Sequence, residues 1–403
     1  MKKILLSLSV IMMCLSTAAQ TIDTEKLSPY DKNAPFGWGE GITGGGTDGT
    51  VVTVETKSQL DAVMTSFDSS QKIIYINGTI NFEGLKEYLG VKNKTIIGLP
   101  GATLQNLTET EEVAKTGILY LKNCENIIIR NLTFKSSGAY DIDGNDNLWL
   151  TGCTKIWVDH CDFQDGVDGN FDCTDGSDKI CVTWCRFRYL KAPKAGGSGG
   201  SNDHRFSNLW GGSDSRTTDN NKLNTTFANC WWDNGCKERM PRVRYGKVHI
   251  LNCLYSSNAS TNTGYCIGGG YKSNVYSEKC AFISQKYAWK NQATKTNYMD
   301  YNITFTDCLG QGSFQDRYGS NDYFVPSYTY DSYSKDNVQS VVSNSDNGAG
   351  PTLKFKNSTG ITQVENGVIN HSDAPMYNLS GQRVYKNYKG IVIINGKKVF
   401  QTR

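Results

Sequence analysis

The amino-acid sequence predicts an all-β protein, a right-handed parallel β-helix (β-solenoid) followed by a small C-terminal β appendage. The main observation is a short apolar strand pattern that returns mostly at intervals of 23 to 29 residues. The second is composition, since 41 glycines and only 8 prolines suit many short strands joined by turns. The third is that no long amphipathic helical pattern occurs.

A cysteine or leucine marks the same point of successive strands: Leu132, Cys161, Cys185, Cys230, Cys253, Cys280 and Cys308. The steps are 29, 24, 45, 23, 27 and 28 residues, and the long step corresponds to two coils or to one coil with a large loop. A second register, formed by Cys124, Cys153 and Ser177, runs just ahead of the same strands. Each coil of a solenoid buries its inward side chains against its neighbours, so this regular spacing predicts stacked parallel coils.

Cysteine usage allows two interpretations. Twelve of the 13 cysteines follow residue 19, and in an exported protein this number can indicate a disulfide framework. Several of them, however, occupy the repeated strand position, where a buried thiol packs as a small apolar group. We therefore expect mostly stacked core thiols, with oxidation of some pairs left open. No CxxC pair has a matching His or Cys pair, which argues against a zinc site.

The N-terminus has the three-part pattern of a secretory signal peptide. Met1-Lys2-Lys3 precedes an apolar run to Cys14 and small residues up to Ala19, after which we expect cleavage. The apolar run is too short for a membrane span. Without residues 1–19 the formal net charge falls from +3 to +1, so no nucleic-acid binding is expected. We expect a secreted or cell-surface monomer, with the periplasm as the alternative location.

Residues 20–345 are predicted to form the β-helix domain, and residues 346–403 a linker and a small β segment. The linker is the Ser-, Asn- and Gly-rich stretch that starts near Ser343. Two alternating apolar runs follow, and the second contains an Asn395-Gly396 turn signal. The pattern from Tyr377 to Ile393 resembles the C-terminal sorting domains of type IX secretion substrates, which implies contact with secretion machinery. A capping hairpin on the solenoid is the alternative.

Three acidic residues are predicted to meet on one face of the solenoid. Asp146 precedes the strand around Trp157, whereas Asp168 and Asp172 precede the strand around Cys181. Residues at even separation share a face of a strand, and adjacent coils lie about 4.8 Å apart, so the three carboxylates can converge. Such an oxygen-only cluster is typical of a Ca²⁺ site. The alternative is a set of solvated turn residues.

The segment Arg239-Met240-Pro241-Arg242-Val243-Arg244 places three arginines close together. A strand with a proline and three arginines is unusual as a packing element. If the coils stack in order, Arg239 and Arg244 lie on the same outer region as the carboxylates. Guanidinium groups beside a cation site indicate an anionic polymer whose carboxylates both can bind.

Two segments resemble the signature strands of family 1 polysaccharide lyases, the pectate lyases. Ile156-Trp157-Val158-Asp159-His160 resembles the first signature, and the stretch from Arg239 to His249 resembles the second. The similarity covers residues 35–330. It implies Ca²⁺-dependent cleavage of α-1,4-linked polygalacturonate, the backbone of pectin, by β-elimination to 4,5-unsaturated oligogalacturonides.

By position, the resemblance implies that Asp146, Asp168 and Asp172 are calcium ligands, that Arg239 is the catalytic base, and that Arg244 binds a substrate carboxylate. Two departures stand out. Gly144 replaces a further aspartate ligand of some relatives, and Asp168 stands where relatives often carry glutamate.

The substrate-binding lysine of the family is best matched by Lys191. The Gly- and Ser-rich insertion 192–203 shifts the local alignment, so Lys194 and Arg205 remain alternatives. His160 is expected to be a structural hydrogen-bonding residue rather than an acid or base.

Three other functions compete with a pectate lyase. A polygalacturonase-type glycoside hydrolase would use Asp168 and Asp172 as its acid and base, but it has no evident use for the three arginines. A pectin lyase acting on methylated substrate usually dispenses with calcium and would not need all three carboxylates. A non-enzymatic β-helical adhesin would account for export and repeats but not for the acidic and basic residues on one face.

Overall fold

A computed structural model of the protein describes residues 19–259, 264–293, 300–310, 317–319, 324–356, 364–365, 375–378, 382–385, 388, 390–394 and 397–401. The chain divides into two compact units. The first comprises Thr24–Leu353, and the second comprises Gln20–Asp23 with Lys354–Arg403. Within the described residues, none of the helices combines the length and apolar character required to cross a membrane.

The first unit is a parallel β-helix, as the sequence predicts. Three sheets run along it, and eight successive coils, from Lys72–Ile76 to Trp289–Asn291, each add one strand to each sheet. The first sheet contains Thr50–Val54, Lys72–Ile76, Lys92–Gly98, Glu125–Arg130, Thr154–Asp159, Asp178–Thr183, Thr225–Ala228, Lys247–Leu251, Asn274–Glu278, Asn302–Thr306 and the antiparallel Arg317–Gly319. The second contains Lys86–Leu89, Leu119–Lys122, Leu148–Thr151, Phe171–Thr174, Leu209–Trp210, Arg242–Val243, Ile267–Gly269 and Trp289–Asn291. The third contains Thr79–Asn81, Thr103–Gln105, Thr133–Lys135, Asp162–Gln164, Arg186–Arg188, Trp231–Trp232, Leu254–Tyr255 and Ala281–Phe282.

In the part of the chain that the structure describes, helices are few and short. The α-helices are Lys57–Val63 and Val338–Val342, and the 3₁₀ helices are Thr24–Lys26, Gly37–Gly39, Val113–Lys115, Thr217–Asp219 and Lys335–Asn337. Thr56 caps the first α-helix, where its hydroxyl accepts from the Gln59 N–H and Gln59 bonds back to the Thr56 N–H.

The chain bends between the first and third sheets at a residue in the left-handed conformation. The bend residues have φ between 48° and 56° and immediately precede the repeated leucine and cysteines: Asn131, His160, Trp184, Asn229, Asn252, Lys279 and Asp307. Asparagine tolerates this conformation better than most residues, which accounts for its recurrence here. The repeat seen in the sequence is therefore a repeated corner of the solenoid.

Stacked side chains fill the interior of the solenoid. Six aromatic rings on the third-sheet side form a ladder with successive centroids 4.4 to 5.4 Å apart: Phe134, Phe163, Phe187, Trp232, Tyr255 and Phe282. The twelve cysteines within the described residues are free, and all but the half-buried Cys308 are buried. The expectation of stacked core thiols is therefore met without disulfides.

The 45-residue step is one coil with a long loop. The strand Asp178–Thr183 pairs directly with Thr225–Ala228, so no coil intervenes. The loop between them supplies the short strand Leu209–Trp210 to the second sheet. An insertion has thus been placed beside the second sheet, the sheet that carries the acidic and basic residues.

The second unit contains a five-stranded sheet in the order Val364–Glu365, Lys397–Gln401, Gly390–Ile394, Met376–Asn378 and Arg383–Val384. Gly390–Ile394 and Lys397–Gln401 are antiparallel partners, as the predicted hairpin requires. The predicted turn residues Asn395 and Gly396, and residues 1–18 of the predicted signal peptide, lie outside the described residues. The first unit extends past residue 345, because Val338, Val342 and Ala349 pack against its third-sheet side.

Candidate active site

The structure brings the three predicted acidic residues together. Asp146 lies in the turn before the strand Leu148–Thr151. One coil later, Asp168 lies in the turn before the strand Phe171–Thr174, and Asp172 is the second residue of that strand. Each offers one carboxylate oxygen, and these oxygens lie within 4.8 Å of one another. Asp146 and Asp172 are only 5% and 6% exposed, so the cluster is a buried concentration of negative charge.

Burial and mutual repulsion raise the pKa of two of these groups. The pKa of Asp172 is raised to about 8 by desolvation and by the neighbouring Asp168, and Arg239 opposes the shift. The pKa of Asp146 lies well above its ordinary value, chiefly because the group is buried and also because Asp172 and Asp168 repel its charge. Arg239 again opposes this shift. The carboxylates are therefore costly to ionise without a further cation.

The cluster has the properties of a cradle for a hard cation. The Oδ1 atom of Asp146 is buried and has no hydrogen-bond partner among the described residues. A Cβ on Gly169 would lie 2.7 Å from that oxygen and 3.0 Å from Asp172 Oδ1, so a side chain there would block the space between them. Three carboxylates with an unsatisfied oxygen and open space fit Ca²⁺, which prefers oxygen ligands and accepts irregular geometry.

Arg239 lies close enough to affect the charge of the cluster. It opposes the raised pKa of both Asp146 and Asp172. Its guanidinium carbon lies 4.7 Å from the ring centroid of Phe206, in a cation–π contact. Its backbone has φ of 58°, and its carbonyl accepts a hydrogen bond from the Asn208 N–H at 2.7 Å. Backbone and ring thus fix the direction of this side chain.

The second sheet sets the spacing between the acidic and basic groups. The Leu209 N–H donates to Asp172 Oδ1 at 2.9 Å, and Leu209 pairs in register with Arg242 on the next strand. At about 4.8 Å per coil, the two functional strands are about 10 Å apart along the solenoid. A ligand that contacts both strands must therefore span about 10 Å along the solenoid.

The other two arginines of the segment are more constrained. Arg244 is 8% exposed, donates from Nε to Asp214 Oδ1 at 2.7 Å and from Nη1 to the Gly211 carbonyl at 2.6 Å. Arg242 donates to the Gln292 carbonyl at 3.3 Å. Burial and the nearby Arg244 lower the pKa of Arg242 to about 10. The sequence predicts functional roles for Arg239 and Arg244. The structure adds Arg242, whose lowered pKa makes its guanidinium easier to deprotonate than an ordinary arginine.

The candidate substrate-binding cations occupy three different environments. Lys191 donates from Nζ to the Ser137 carbonyl at 3.0 Å, beside a cavity of about 260 Å³. Lys194 lines the same cavity and lies 4.2 Å from the ring centroid of Tyr140. Arg205 forms a two-pronged ion pair with Asp203, at 2.7 and 2.8 Å. Its charge is therefore compensated inside its own loop.

His160 lies in a buried network on the first-sheet side. Its Nδ1 is 2.9 Å from Asp159 Oδ2, its ring stacks on Trp184, and only 1% of its surface is exposed. Asp159 also accepts hydrogen bonds from Arg130 and Thr183. These contacts agree with the structural role expected for His160.

Asp141 and His204 lie beside the acidic cluster and were not predicted from the sequence. Asp141, Asp168 and His204 form a second group of potential ligand atoms within 4.8 Å of one another. His204 immediately follows the insertion 192–203, which has no counterpart in the repeat. Repeat spacing therefore could not place it, and the only available signal was a histidine directly after a Gly- and Ser-rich loop.

The fold and the site together define a parallel β-helix protein with buried carboxylates and arginines on one sheet face. Residues 6–351 match the family described as pectate lyase, and the chain belongs to that family.

Curated relatives include the pectate trisaccharide-lyase of Thermotoga maritima, 30% identical over 54% of this chain, and pectate lyase B of Colletotrichum gloeosporioides, 31% identical over 79% of this chain and 86% of that protein. The match to the Thermotoga protein spans about half of its length (54%). Among solved structures, a mutant of the Bacillus subtilis pectate lyase has a TM-score of 0.62 at 21% identity and covers 79% of this chain and 98% of that one. This likeness supports the right-handed parallel β-helix.

Proposed function

We propose that this protein is a calcium-dependent pectate lyase that cleaves α-1,4-linked polygalacturonate by β-elimination. The observation that carries the proposal is the cluster of Asp146, Asp168 and Asp172, with Arg239 close enough to oppose the raised pKa of Asp146 and of Asp172. Family membership supports the same chemistry. Calcium held by the three carboxylates would neutralise the uronate carboxylate next to C5 and so stabilise the negative charge that develops there.

In this mechanism Arg239 takes the proton from C5 of the uronate. The electron pair of the C5–H bond forms the C4=C5 double bond, the C4–O bond breaks, and the leaving oxygen acquires a proton. Arginine is protonated in nearly all proteins, so the neutral base becomes more available as the pH rises. An alkaline optimum follows. Arg244, already fixed by Asp214 and the Gly211 carbonyl, would present its remaining N–H groups to a substrate carboxylate.

A hydrolytic mechanism uses fewer of the residues at the site. A glycoside hydrolase needs two carboxyl groups, one as acid and one as base or nucleophile. Here three carboxylates offer oxygens within 4.8 Å of one another, and Arg239 lies close enough to oppose the raised pKa of Asp146 and of Asp172. The third carboxylate and the arginine suit a shared cation and an anionic substrate better than an acid and base pair.

The deciding experiment is incubation with polygalacturonate, with and without a calcium chelator. Elimination generates conjugated products that absorb in the ultraviolet, and the chelator should suppress them. New reducing ends without that absorbance would instead identify a hydrolase. Equal rates on highly methylated pectin in the presence of chelator would favour a pectin lyase, and no product at all would favour an adhesin.

We also propose that the protein is exported as a monomer and that its second unit acts in sorting by secretion machinery. The signal-like residues 1–19 and the resemblance of residues 377–393 to type IX sorting domains support this proposal. The second unit has its own small core around Met376 and Val392. A periplasmic reporter fused to residues 354–403 should be exported from a cell that has type IX secretion machinery. Retention of the fusion protein in the periplasm would instead favour a capping role for the second unit.

A further inference from the structure

The insertion 192–203 folds onto Asp141. The Gly199 N–H donates to the Asp141 carbonyl at 2.8 Å, and the Ser201 N–H donates to Asp141 Oδ2 at 2.6 Å. A Cβ at Gly199 would lie 2.0 Å from Asp141 Oδ1, so a larger residue there would displace the carboxylate. The insertion therefore holds this carboxylate in one position.

His204, at the end of the insertion, lies between Asp141 and the acidic cluster. Its Nδ1 is 3.2 Å from Asp141 Oδ1, and its Nε2 is 3.0 Å from Asp168 Oδ1. The imidazole is 8% exposed, and in the described part of the chain neither ring nitrogen makes a well-formed hydrogen bond, so the approaches to the two carboxylates are close polar contacts. The two carboxylates are thus the polar neighbours of a buried ring.

Asp168 is the least constrained member of the cluster. Its side chain is 25% exposed, and it lies in a turn, whereas Asp172 lies in a strand and accepts the Leu209 N–H. Among the described residues, His204 is the basic side chain in contact with the Asp168 carboxylate. A contact on Oδ1 leaves the other oxygen of Asp168 for a cation.

The same segment also contacts the arginine side of the site. The ring of Phe206 lies 4.3 Å from the ring of His204, and the Arg239 guanidinium carbon lies 4.7 Å from the Phe206 centroid. One short segment therefore contacts both the carboxylate cluster and the proposed base.

We propose that His204 is a positioning residue for the cation site. Held by Asp141 and the insertion, its imidazole orients the Asp168 carboxylate toward the space shared with Asp146 and Asp172. This inference rests on the proposed calcium site. A residue that acts through a ligand in this way typically contributes about 10- to 100-fold to metal affinity.

Calcium titration calorimetry on the full chain, without substrate, tests the proposal. We expect His204→Ala to weaken calcium binding about 10- to 100-fold, and His204→Gln to weaken it less, because one amide can still donate to Asp168. Asp141→Asn should also weaken binding, and its effect should be largely absent in the His204→Ala background because Asp141 acts through His204.

His249→Gln is the matched control, since His249 is also buried but contacts Tyr328 and Glu278 on the first-sheet side. It should leave calcium affinity unchanged even if stability falls. Wild-type affinity in His204→Ala would overturn the proposal while leaving the calcium site intact. A second outcome would also overturn the proposal: two calcium ions bound to the wild type and one bound to His204→Ala. It would show that Asp141, Asp168 and His204 form a cation site of their own. If the wild type bound no calcium, the proposed function and this inference would both fail.

Discussion

At the scale of single residues, the buried carboxylates of the cluster ionise only at a cost in free energy, which a bound cation would offset. Asp146 and Asp172 are buried with raised pKa values, and Arg239 compensates them only in part. Packing alone would not favour such a cluster, because buried charges without partners destabilise a fold. The cost is understandable if a cation occupies the space when the protein works.

The raised pKa of Asp172 predicts the pH dependence of the calcium-free protein. The pKa of Asp172 is about 8 in the folded state, above its ordinary value of 3.8, so the native state binds the proton more tightly than the unfolded state. The resulting stability is complete below about pH 4 and is lost as the pH rises through about 8. Asp172→Asn should remove this loss, so at pH 9 without calcium it should melt at a higher temperature than the wild type.

With calcium, the order should reverse. The wild type should gain melting temperature, and its calcium affinity should increase between pH 7 and 9 as protons stop competing for Asp172, whereas Asp172→Asn should gain little. Asp175→Asn is the control, because Asp175 is paired with Arg216 at the surface. Equal calcium responses in the wild type and Asp172→Asn would remove Asp172 from the cation site.

Arg239 and Arg244 should respond differently to lysine substitution. Loss of a positioned proton acceptor costs about 10²- to 10⁴-fold in rate, so Arg239→Lys should mainly lower kcat. Arg244→Lys cannot reproduce the contacts to both Asp214 and the Gly211 carbonyl, so it should raise KM and lower the melting temperature. Both constants should be measured at alkaline pH with saturating calcium, with Arg216→Lys as the surface control. Near-normal turnover of Arg239→Lys would exclude it as the base.

At the scale of elements, the solenoid was predictable because stacked side chains repeat along the sequence. The recurring leucine and cysteines mark a bend that is repeated from coil to coil. The position of each turn within that repeat predicts where the acidic residues lie. The repeat does not predict the position of the insertion 192–203. Its path depends on contacts such as that of Ser201 with Asp141, which the spacing of residues in the sequence does not reveal. For the same reason, Arg242 was overlooked, since its lowered pKa arises from burial and from Arg244.

The aromatic ladder should dominate the stability of the coils that carry the site. Phe163 is fully buried between Phe134 and Phe187, with ring centroids 4.7 and 5.2 Å away. Phe163→Ala should lower the free energy of unfolding by about 3 to 5 kcal/mol, because a cavity would interrupt the stack. Phe67→Ala, at a position 71% exposed, should change it by less than about 0.5 kcal/mol. Denaturant unfolding curves would compare them, and a similar small change in both would show that the ladder adapts to a gap.

At the scale of the whole molecule, the thiols should be inert in the folded state. The twelve cysteines of the described residues are free, and eleven of them are buried, most in the interior of the solenoid and Cys181 in a separate cluster with Ile42 and Trp157. A reductant should therefore leave the melting temperature unchanged. An aromatic disulfide reagent should react slowly with the native protein, first at Cys308, and with all of these thiols after denaturation. A large loss of melting temperature under reduction would indicate disulfides instead.

The division of the chain into two units leads to a prediction about where activity resides. Every candidate residue of the site, from Asp141 to Arg244, belongs to Thr24–Leu353, and the main hydrophobic core lies in that unit as well. The second unit has a separate small core around Met376 and Val392. A chain that ends at Leu353 and begins at Thr24 should therefore fold, bind calcium with the affinity of the full-length protein, and retain its kcat and KM on polygalacturonate. Circular dichroism, calcium titration and product absorbance would test these three statements separately. A truncated chain that folded but bound calcium more weakly would show that the second unit contributes to the site, and one that failed to fold would show that it stabilises the solenoid.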